Sequence, residues 1–374
     1  MIFPDAMLGM LGGGQLGRMF TLAAHSMGYR VTVLDPDPLS PAGAIADVHL
    51  KAAYQDREAL QHLADTCAAV TTEFENVPAD SLRSLAAHCT VRPGGDAVAV
   101  AQDRVREKRF FTGNGFAVAP FAVIEQDGDL DAVDSVLFPG ILKRARFGYD
   151  GKGQARVATL AEARAAFAEL GSETCVLERK VDLACEISVV VARGADGATR
   201  TFPVAENRHR NGILDVSIVP ARVSPELSTA AERAATGVAE KLGYCGVLAV
   251  EFFVSTDGAL LVNEIAPRPH NSGHYTIDAC ATSQFEQQVR TLCGLPLGDT
   301  SLLKPVVMVN LLGDVWAHGT PAWNRVFALP QAKLHLYGKH EARPGRKMGH
   351  YTVIGETADI ALAHALEVQA VLTA

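Results

Sequence analysis

The 374-residue chain is 48% hydrophobic and 20% charged, with a net charge of −8. That is ordinary globular composition at a length suited to two or three domains. The acidic balance argues against a nucleic-acid partner, and no apolar run reaches the ~20 residues that span a bilayer, so no membrane association is expected. The N-terminal MIFPDAMLGMLGGG lacks the basic and long apolar regions of a secretion signal. The seven cysteines form no CxxC pair and sit mostly in apolar runs. They read as reduced core residues, and a cytoplasmic protein is expected.

Residues 7 to 35 predict strand (MLGML), glycine-rich turn, helix (QLGRMFTLAAHSMG) and strand (YRVTVLD). Helix and strand alternate again from 57 to 75, which predicts an open parallel α/β sheet. Gly12, Gly14 and Gly17 form G-x-G-x-x-G at the first turn, and Asp35 ends the next strand. Alone, this pattern predicts a dinucleotide site. Its physical content is narrower: glycines let backbone approach a ligand, and a helix N-terminus attracts negative charge, so a phosphorylated substrate is served equally well. A tight turn without a ligand also remains open. The charged stretch QDRVREKRFFTGNG (102 to 115) reads as a helix linking to a new domain.

From 136 onward, VLFPGILKRA predicts a strand carrying Lys143, RFGYDGKGQ a loop, and TLAEARAAFAELG a helix with capping-box spacing at Thr159 and Glu162. Gly148, Gly151 and Gly153 allow that loop to wrap phosphates with its amides, and Lys143 adds a charge for the same oxygens. CVLERKV and EISVVVAR predict two more strands. Glu178 ends the first and Glu186 leads into the second. That spacing suits adenine on the linker's backbone and ribose on a carboxylate. PELSTAAERAATGVAEKLG predicts a helix, and VLAVEFFVSTDGALLVNEIA a hairpin about STDG. The simplest register pairs Val254 with Ala259 and Ala249 with Glu264, leaving Glu251 and Glu264 diagonal neighbours on one face. Two such carboxylates repel unless a cation joins them, and Mg²⁺ with ATP phosphates fits; a solvent-separated pair is the alternative. Residues 261 to 276 then crowd Arg268, His270, Asn271, Ser272 and His274 into a few positions, with two prolines stiffening the backbone, a density suited to holding oxyanions. The last segment, from about 300, predicts short strands, a terminal helix and a basic cluster at Lys339, Arg343, Arg346 and Lys347.

These motifs carry a resemblance. GGGQLGRM (12 to 19), FENVP (74 to 78), FGYDGKGQ (147 to 154), AENRHRNGIL (205 to 214), NEIAPRPHNSGHYT (263 to 276), SQFEQQVR (283 to 290) and ARPGRKMGHYT (342 to 352) resemble the ATP-grasp enzymes. Within them the chain is similar to the N5-carboxyaminoimidazole ribonucleotide synthetases of purine biosynthesis. The resemblance implies an α/β ATP-grasp fold with an α+β lid, in four parts. These are a pre-ATP-grasp parallel-sheet domain (1–101), a lid with the glycine loop (102–185), a central catalytic subdomain (186–300) and a small C-terminal substrate-binding segment (301–374).

It also implies roles. ATP would meet Arg104, Lys143, Gly148, Tyr149, Asp150, Gly151, Lys152, Gly153, Glu178, Arg179, Lys180, Val181, Glu186, His209, Asn263 and Glu264. Mg²⁺ would rest on Glu251 and Glu264, because Ala266 stands where many ATP-grasp enzymes carry an asparagine ligand. 5-Aminoimidazole ribonucleotide would meet Gln15, Leu16, Glu73, Tyr149, Asp150, Arg268, Asn271, Ser272, Lys339, Arg343, Arg346 and Lys347. Arg268 and His270 would hold bicarbonate and carboxyphosphate, Asp150 would accept the amine's proton, and Lys339 would join the catalytic set. A homodimer is usual for such enzymes. Two other readings stand beside this one: a formate-dependent glycinamide ribonucleotide ligase of the same superfamily, and an NAD-dependent oxidoreductase using Gly12, Gly14, Gly17 and Asp35.

Overall fold

The computed structural model describes residues 1–146, 148 and 153–373. The expectations for Tyr149, Asp150, Gly151 and Lys152 therefore lie outside the described residues. Among the described residues the strands form three sheets.

The first is built from β1 (Met7–Leu11), α1 (Gln15–Ser26), β2 (Arg30–Leu34), β3 (Val48–Leu50), α2 (Arg57–Thr66), β4 (Ala69–Thr72), α3 (Ala79–Ala86), β5 (Thr90–Val91) and α4 (Gly95–Ala101). Its order is β3-β2-β1-β4-β5, every pair parallel. β4 is buried along its whole length and β1 along nearly all of it, as the central strands of a parallel sheet covered on both faces must be. The expected strands and helices stand; the short β3 (VHL) carried no pattern long enough to predict it.

The second sheet covers the site. After α5 (Arg104–Gly113) come β6 (Phe121–Ile124), β7 (Gly140–Arg144), β8 (Gln154–Val157), α6 (Leu160–Glu169) and β9 (Cys175–Arg179), in the antiparallel order β6-β9-β7-β8. Thr159 caps α6 by accepting from the Glu162 amide, while the Glu162 carboxylate reaches the Ala158 amide at 2.8 Å, one residue before the position a capping box uses. α5 is more than the expected linker. Asp103 caps its start through the amides of Val105 and Arg106, and Glu107 and Lys108 are buried against the strands on either side.

The third sheet is the scaffold. It comprises β10 (Leu183–Arg193), β11 (Thr199–Thr201), β12 (Ala205–Arg210), β13 (Ile213–Val219), α7 (Pro225–Lys241), β14 (Gly246–Ser255), β15 (Leu260–Ala266), α8 (Thr276–Ala279), α9 (Gln284–Cys293), β16 (Val306–Leu312), α10 (Trp323–Phe327), β17 (Ala332–Leu336), β18 (Lys347–Ile354) and α11 (Ala358–Leu372). The strand order is β15-β14-β10-β12-β13-β16-β18-β17, with β11 on β10. The strands of the last segment thus continue this sheet through the β13–β16 pairing. Ala231, Ala235, Val238 and Ala239 of α7 pack on Leu248, Val250 and Phe252 of β14. α9 joins this sheet to the first: Phe285, Val289 and Leu292 lie in one apolar cluster with Leu16 and Phe20 of α1. Arg92 adds hydrogen bonds to the carbonyls of Thr291 and Leu292. The strand ends of the parallel sheet are thereby fixed over the central sheet.

The β14–β15 register differs from the simple hairpin. The turn closes with Ser255 donating to Ala259 at 3.0 Å, and Gly258 takes a positive φ of 86° that glycine adopts without strain. Val254 therefore faces Leu260, not Ala259. A bulge then shifts the pairing between Glu251 and Phe252, so Glu251 faces Glu264 directly and Ala249 faces Ala266. The two carboxylates are opposite neighbours, not diagonal ones.

Gly17 shows why the fingerprint glycines are needed structurally. A β-carbon there would stand 2.6 Å from the Gly12 carbonyl oxygen, and one at Gly14 would stand 2.5 Å from a Glu73 carboxylate oxygen. Gly17→Ala should lower stability by about 1–3 kcal/mol, the usual cost of forcing atoms into a packed site. The check is a urea unfolding midpoint, and an unchanged midpoint would mean that the turn relaxes freely.

Candidate active site

All three sheets contribute to one cavity of about 1100 Å³. Gln15, Leu16 and Glu73 reach it from the parallel sheet, and Arg104 from α5. Lys143, Gly148, Glu178, Arg179, Lys180 and Val181 come from the covering sheet. The central sheet supplies Glu186, His209, Glu251, Asn263, Glu264, Arg268, His270 and Asn271, and Lys339, Arg343, Arg346 and Lys347 from the C-terminal segment close it. Gly153 and Ser272 are not among its lining residues.

At one end the strand β7 aims Lys143 inward, and its ammonium stands 3.2 Å from a Glu178 carboxylate oxygen. Lys108 reaches the same oxygen at 3.4 Å and donates to the Asn263 carbonyl at 3.1 Å. Burial disfavours charge on Glu178, but the two lysines and Arg104 outweigh it and hold the carboxyl below its ordinary range. Burial likewise pushes the Lys143 ammonium down. Glu178, expected at the start of an adenine-binding linker, lines the cavity with Arg179, Lys180 and Val181, and its buried carboxylate also balances two lysines. Its second oxygen is buried without a hydrogen-bond partner. Nearby, Glu186 stands 3.0 Å from His209 Nδ1. Burial opposes charge on that imidazole, and Glu186 prevails, so its pKa is raised.

At the centre stand Glu251 and Glu264. Arg104 donates to Glu264 at 2.8 Å, and His270 Nε2 lies 3.0 Å from Glu251. Burial raises the Glu264 carboxyl, yet Arg104 and Lys143 bring it down to about 2. The direct pairing places both glutamates as oxygen donors on one face. Among the described residues no group of three or more His, Cys, Asp or Glu is arranged to hold a metal ion. Two carboxylates that leave the remaining positions to phosphate and water are the donor set a hard cation such as Mg²⁺ takes.

The loop after β15 follows. Arg268 is ion-paired with Glu75 of the parallel-sheet domain, raised in pKa by that partner against the opposing effect of burial. Both polar atoms of the Asn271 side chain are buried without a partner. Ser272, expected to touch substrate, is fully buried, and its hydroxyl is used by Ser188 and His270. That is a correction: the position supports its neighbour and does not face the cavity.

At the far end the glycine fingerprint finds its partner inside the protein. Gly14 and Gly17 donate their amides to Glu73 at 2.5 and 2.6 Å, and Gly13 donates to Asp35 at 2.6 Å. Tyr54 also donates to Asp35, at 2.8 Å. The positive end of α1 is thus answered by Glu73, and the Asp35 carboxylate that a dinucleotide ribose would need is spent on the backbone and on Tyr54. The oxidoreductase reading loses its site. Lys339 donates to Gln15 at 2.6 Å and to the Lys347 carbonyl at 2.6 Å, tying the C-terminal segment to α1. Arg343 pairs with Glu341 at 3.0 Å, and Arg346 donates to the Glu341 carbonyl at 2.9 Å.

Three site residues escaped the sequence reading: Glu75, Glu107 and Lys108. The signal for the last two was present, since Arg104, Glu107 and Lys108 share one face of a helix. Glu107 accepts from the Ile265 amide at 2.8 Å, next to Glu264.

A covering antiparallel sheet whose lysine faces paired glutamates of a second antiparallel sheet, beside a parallel-sheet domain, defines an ATP-grasp enzyme. The comparisons agree. The ATP-grasp domain family matches residues 109–285, the ribonucleotide synthetase preATP-grasp domain residues 6–102, and the phosphoribosylaminoimidazole carboxylase C-terminal domain residues 306–364. N5-carboxyaminoimidazole ribonucleotide synthase of Bacillus subtilis (strain 168) is 47% identical over 361 residues, 96% of this chain and 94% of that protein. An ADP complex of an N5-carboxyaminoimidazole ribonucleotide synthetase superposes with a TM-score of 0.93 at 44% identity, covering 98% of this chain and 97% of that one. The Aspergillus clavatus synthase in complex with ADP and 5-aminoimidazole ribonucleotide superposes with a TM-score of 0.91 at 31% identity, covering 98% of each chain. The chain belongs to the N5-carboxyaminoimidazole ribonucleotide synthetase family of ATP-grasp ligases.

Burial pushes the Glu107 carboxyl up to about 8 from an ordinary 4.5. The folded state then keeps a proton that the unfolded chain releases, so this group makes stability fall as pH rises across that window. Glu107→Gln keeps an acceptor for Ile265 and removes the titration. Urea unfolding should show the variant gaining on the parent protein between about pH 5 and pH 9. Parallel curves would mean that Glu107 is ionised in the fold throughout.

Proposed function

We propose that this protein uses MgATP to phosphorylate bicarbonate and passes the carboxyl group to the exocyclic amine of 5-aminoimidazole ribonucleotide, releasing ADP and phosphate. The product is N5-carboxyaminoimidazole ribonucleotide, an intermediate of purine biosynthesis. The observation that carries this reading is the single cavity: Lys143 lies at one end, the Glu251–Glu264 pair at the centre, and Lys339, Arg343, Arg346 and Lys347 at the other. A nucleotide and a phosphorylated substrate can approach each other from opposite ends across the carboxylate pair.

Glu251 and Glu264 would hold Mg²⁺, which supplies charge neutralisation on the phosphate oxygens. Lys143 adds positive charge to the same oxygens, and Arg104, now on Glu264, lies within reach of them. The Gly148–Gly153 loop would lie over the phosphates, with Arg179, Lys180 and Val181 along the base and Glu186 on the ribose. His209 orients Glu186, and Asn263 lines the same wall. Arg268, His270 and Asn271 would hold bicarbonate and then carboxyphosphate, giving the oxyanion fixed donors in a site that excludes water. Gln15, Leu16 and Glu73 would position the ribonucleotide, and Lys339 its reacting end. Arg343 and Arg346 would take its phosphate with the fork geometry that guanidinium allows. Asp150 remains our candidate acceptor for the amine's proton, by resemblance to the family. No helix among the described residues is long and apolar enough to cross a membrane, and we place the enzyme in the cytoplasm as a homodimer.

The test is ADP release. It should rise sharply only when the ribonucleotide and bicarbonate are both present, and labelled bicarbonate should enter a carbamate product. Arg346→Ala should raise KM for the ribonucleotide at least ~10-fold and leave KM for ATP unchanged, as expected for one lost charge-assisted contact. Turnover with formate and glycinamide ribonucleotide instead would overturn the assignment.

A further inference from the structure

A buried chain of hydrogen bonds crosses the central sheet and ends on His270. Ser217 on β13 donates to Asn207 Oδ1 on β12 at 2.8 Å. Asn207 Nδ2 donates to Ser188 Oγ on β10 at 2.8 Å, and Ser188 donates to Ser272 Oγ at 2.7 Å. Ser272 Oγ lies 2.8 Å from His270 Nδ1, and His270 Nε2 lies 3.0 Å from Glu251. The sheet register sets this path. Ser217 is the direct cross-strand partner of Asn207, and Ser188 is the partner of Glu251. Ser188, Ser217 and Ser272 are 0–1% exposed and Asn207 6%, so none of these groups can turn to water instead. A buried polar chain that serves no purpose is costly.

The chain has a direction. Ser272 receives the Ser188 proton, so its own single proton is free only for His270 Nδ1. The backbone amide of Ser272 also points at Nδ1, at 3.3 Å, and a backbone N–H cannot be reversed by rotating a side chain. Nδ1 thus faces two donors and must offer its lone pair. The ring proton then sits on Nε2, toward Glu251 and the cavity.

We infer that Ser217, Asn207, Ser188 and Ser272 form a positioning relay that locks His270 as its Nε2–H tautomer, so that it serves the reaction as a fixed donor to an oxyanion and never as a base. The oxyanion's identity, bicarbonate or carboxyphosphate, rests on the function proposed above; the tautomer does not. A histidine held in this way has its donor oriented before substrate arrives, which is the condition for electrostatic stabilisation of developing charge. It also means that the amine's proton must leave by another group.

The test is nitrogen-15 NMR of the full-length protein with labelled histidine, the His270 signals being assigned by their loss in His270→Gln. We expect a protonated Nε2 and a bare Nδ1. Ser272→Ala removes the 2.8 Å hydroxyl contact and leaves Nδ1 only the longer 3.3 Å amide contact, so it should bring in a second set of signals from the Nδ1–H form and lower kcat at least ~10-fold, with KM for ATP and for the ribonucleotide within about twofold. Ser272→Thr, which keeps the hydroxyl, should restore the single tautomer and most of kcat. An Nδ1–H or doubly protonated His270 in the parent protein would overturn the inference, as would an alanine variant that matches the parent in spectrum and kcat. Loss of the carboxylation reading with the tautomer intact would leave the relay standing and remove only the identity of its oxyanion.

Discussion

Two glutamates face each other directly across neighbouring strands, and much of the site answers that arrangement. Opposite positions in an antiparallel ladder place Cβ atoms about 4.5–5.5 Å apart. At an effective dielectric near 20, two charges at about 5 Å repel by roughly 3 kcal/mol. A ladder of apolar pairs cannot absorb that locally. The compensating groups come from elsewhere: the Arg104 guanidinium from α5 onto Glu264, and the His270 ring from the loop after β15 as a hydrogen-bond donor beside Glu251. Lys143, from the covering sheet, helps hold Glu264 ionised. Three separate parts of the chain must therefore meet at the pair. A protein stabilised only for its own sake would carry apolar residues here, and the proposed function, with a cation and phosphates at the pair, supplies a reason for the carboxylates.

The N-terminal fingerprint obeys the same electrostatic rule with a different partner. The amides at the start of α1 attract an anion, and Glu73 supplies it. Burial still pushes the Glu73 carboxyl up, so those amides stabilise a group that the interior disfavours. A pattern that alone signals a dinucleotide is here a device for placing one carboxylate at the strand ends of the parallel sheet. The Lys339–Gln15 contact brings the C-terminal segment to the same place.

Much of this was legible in the sequence because apolar periodicity and loop chemistry are local. The strands MLGML, GILKR and LLVNEIA and the helix at 225–241 announced themselves. What was not legible depended on a third dimension. The bulge that makes Glu251 and Glu264 direct partners adds one residue with no mark of its own, and a one-residue shift changes who faces whom. β12 and β13 mix charge with apolar residues because one end of each lines the cavity, which hides their alternation. The inward face of α5 resembled a solvated helix, since Arg104, Glu107 and Lys108 read as ionisable surface residues in the sequence whichever way they point. Ser272 was drawn to ligand by the motif around it, yet its hydroxyl's partners are Ser188 and His270. Those partners lie up to 84 residues away in sequence.

The central claim is that the Glu251–Glu264 pair exists to hold a divalent cation against nucleotide phosphates. Calorimetric titration of ADP into the protein with and without Mg²⁺ tests it without any turnover. The account predicts that Mg²⁺ tightens ADP binding in the parent protein and that Glu251→Gln and Glu264→Gln each abolish the tightening while still binding ADP. Equal tightening by Mg²⁺ in all three proteins would place the cation elsewhere and contradict the account.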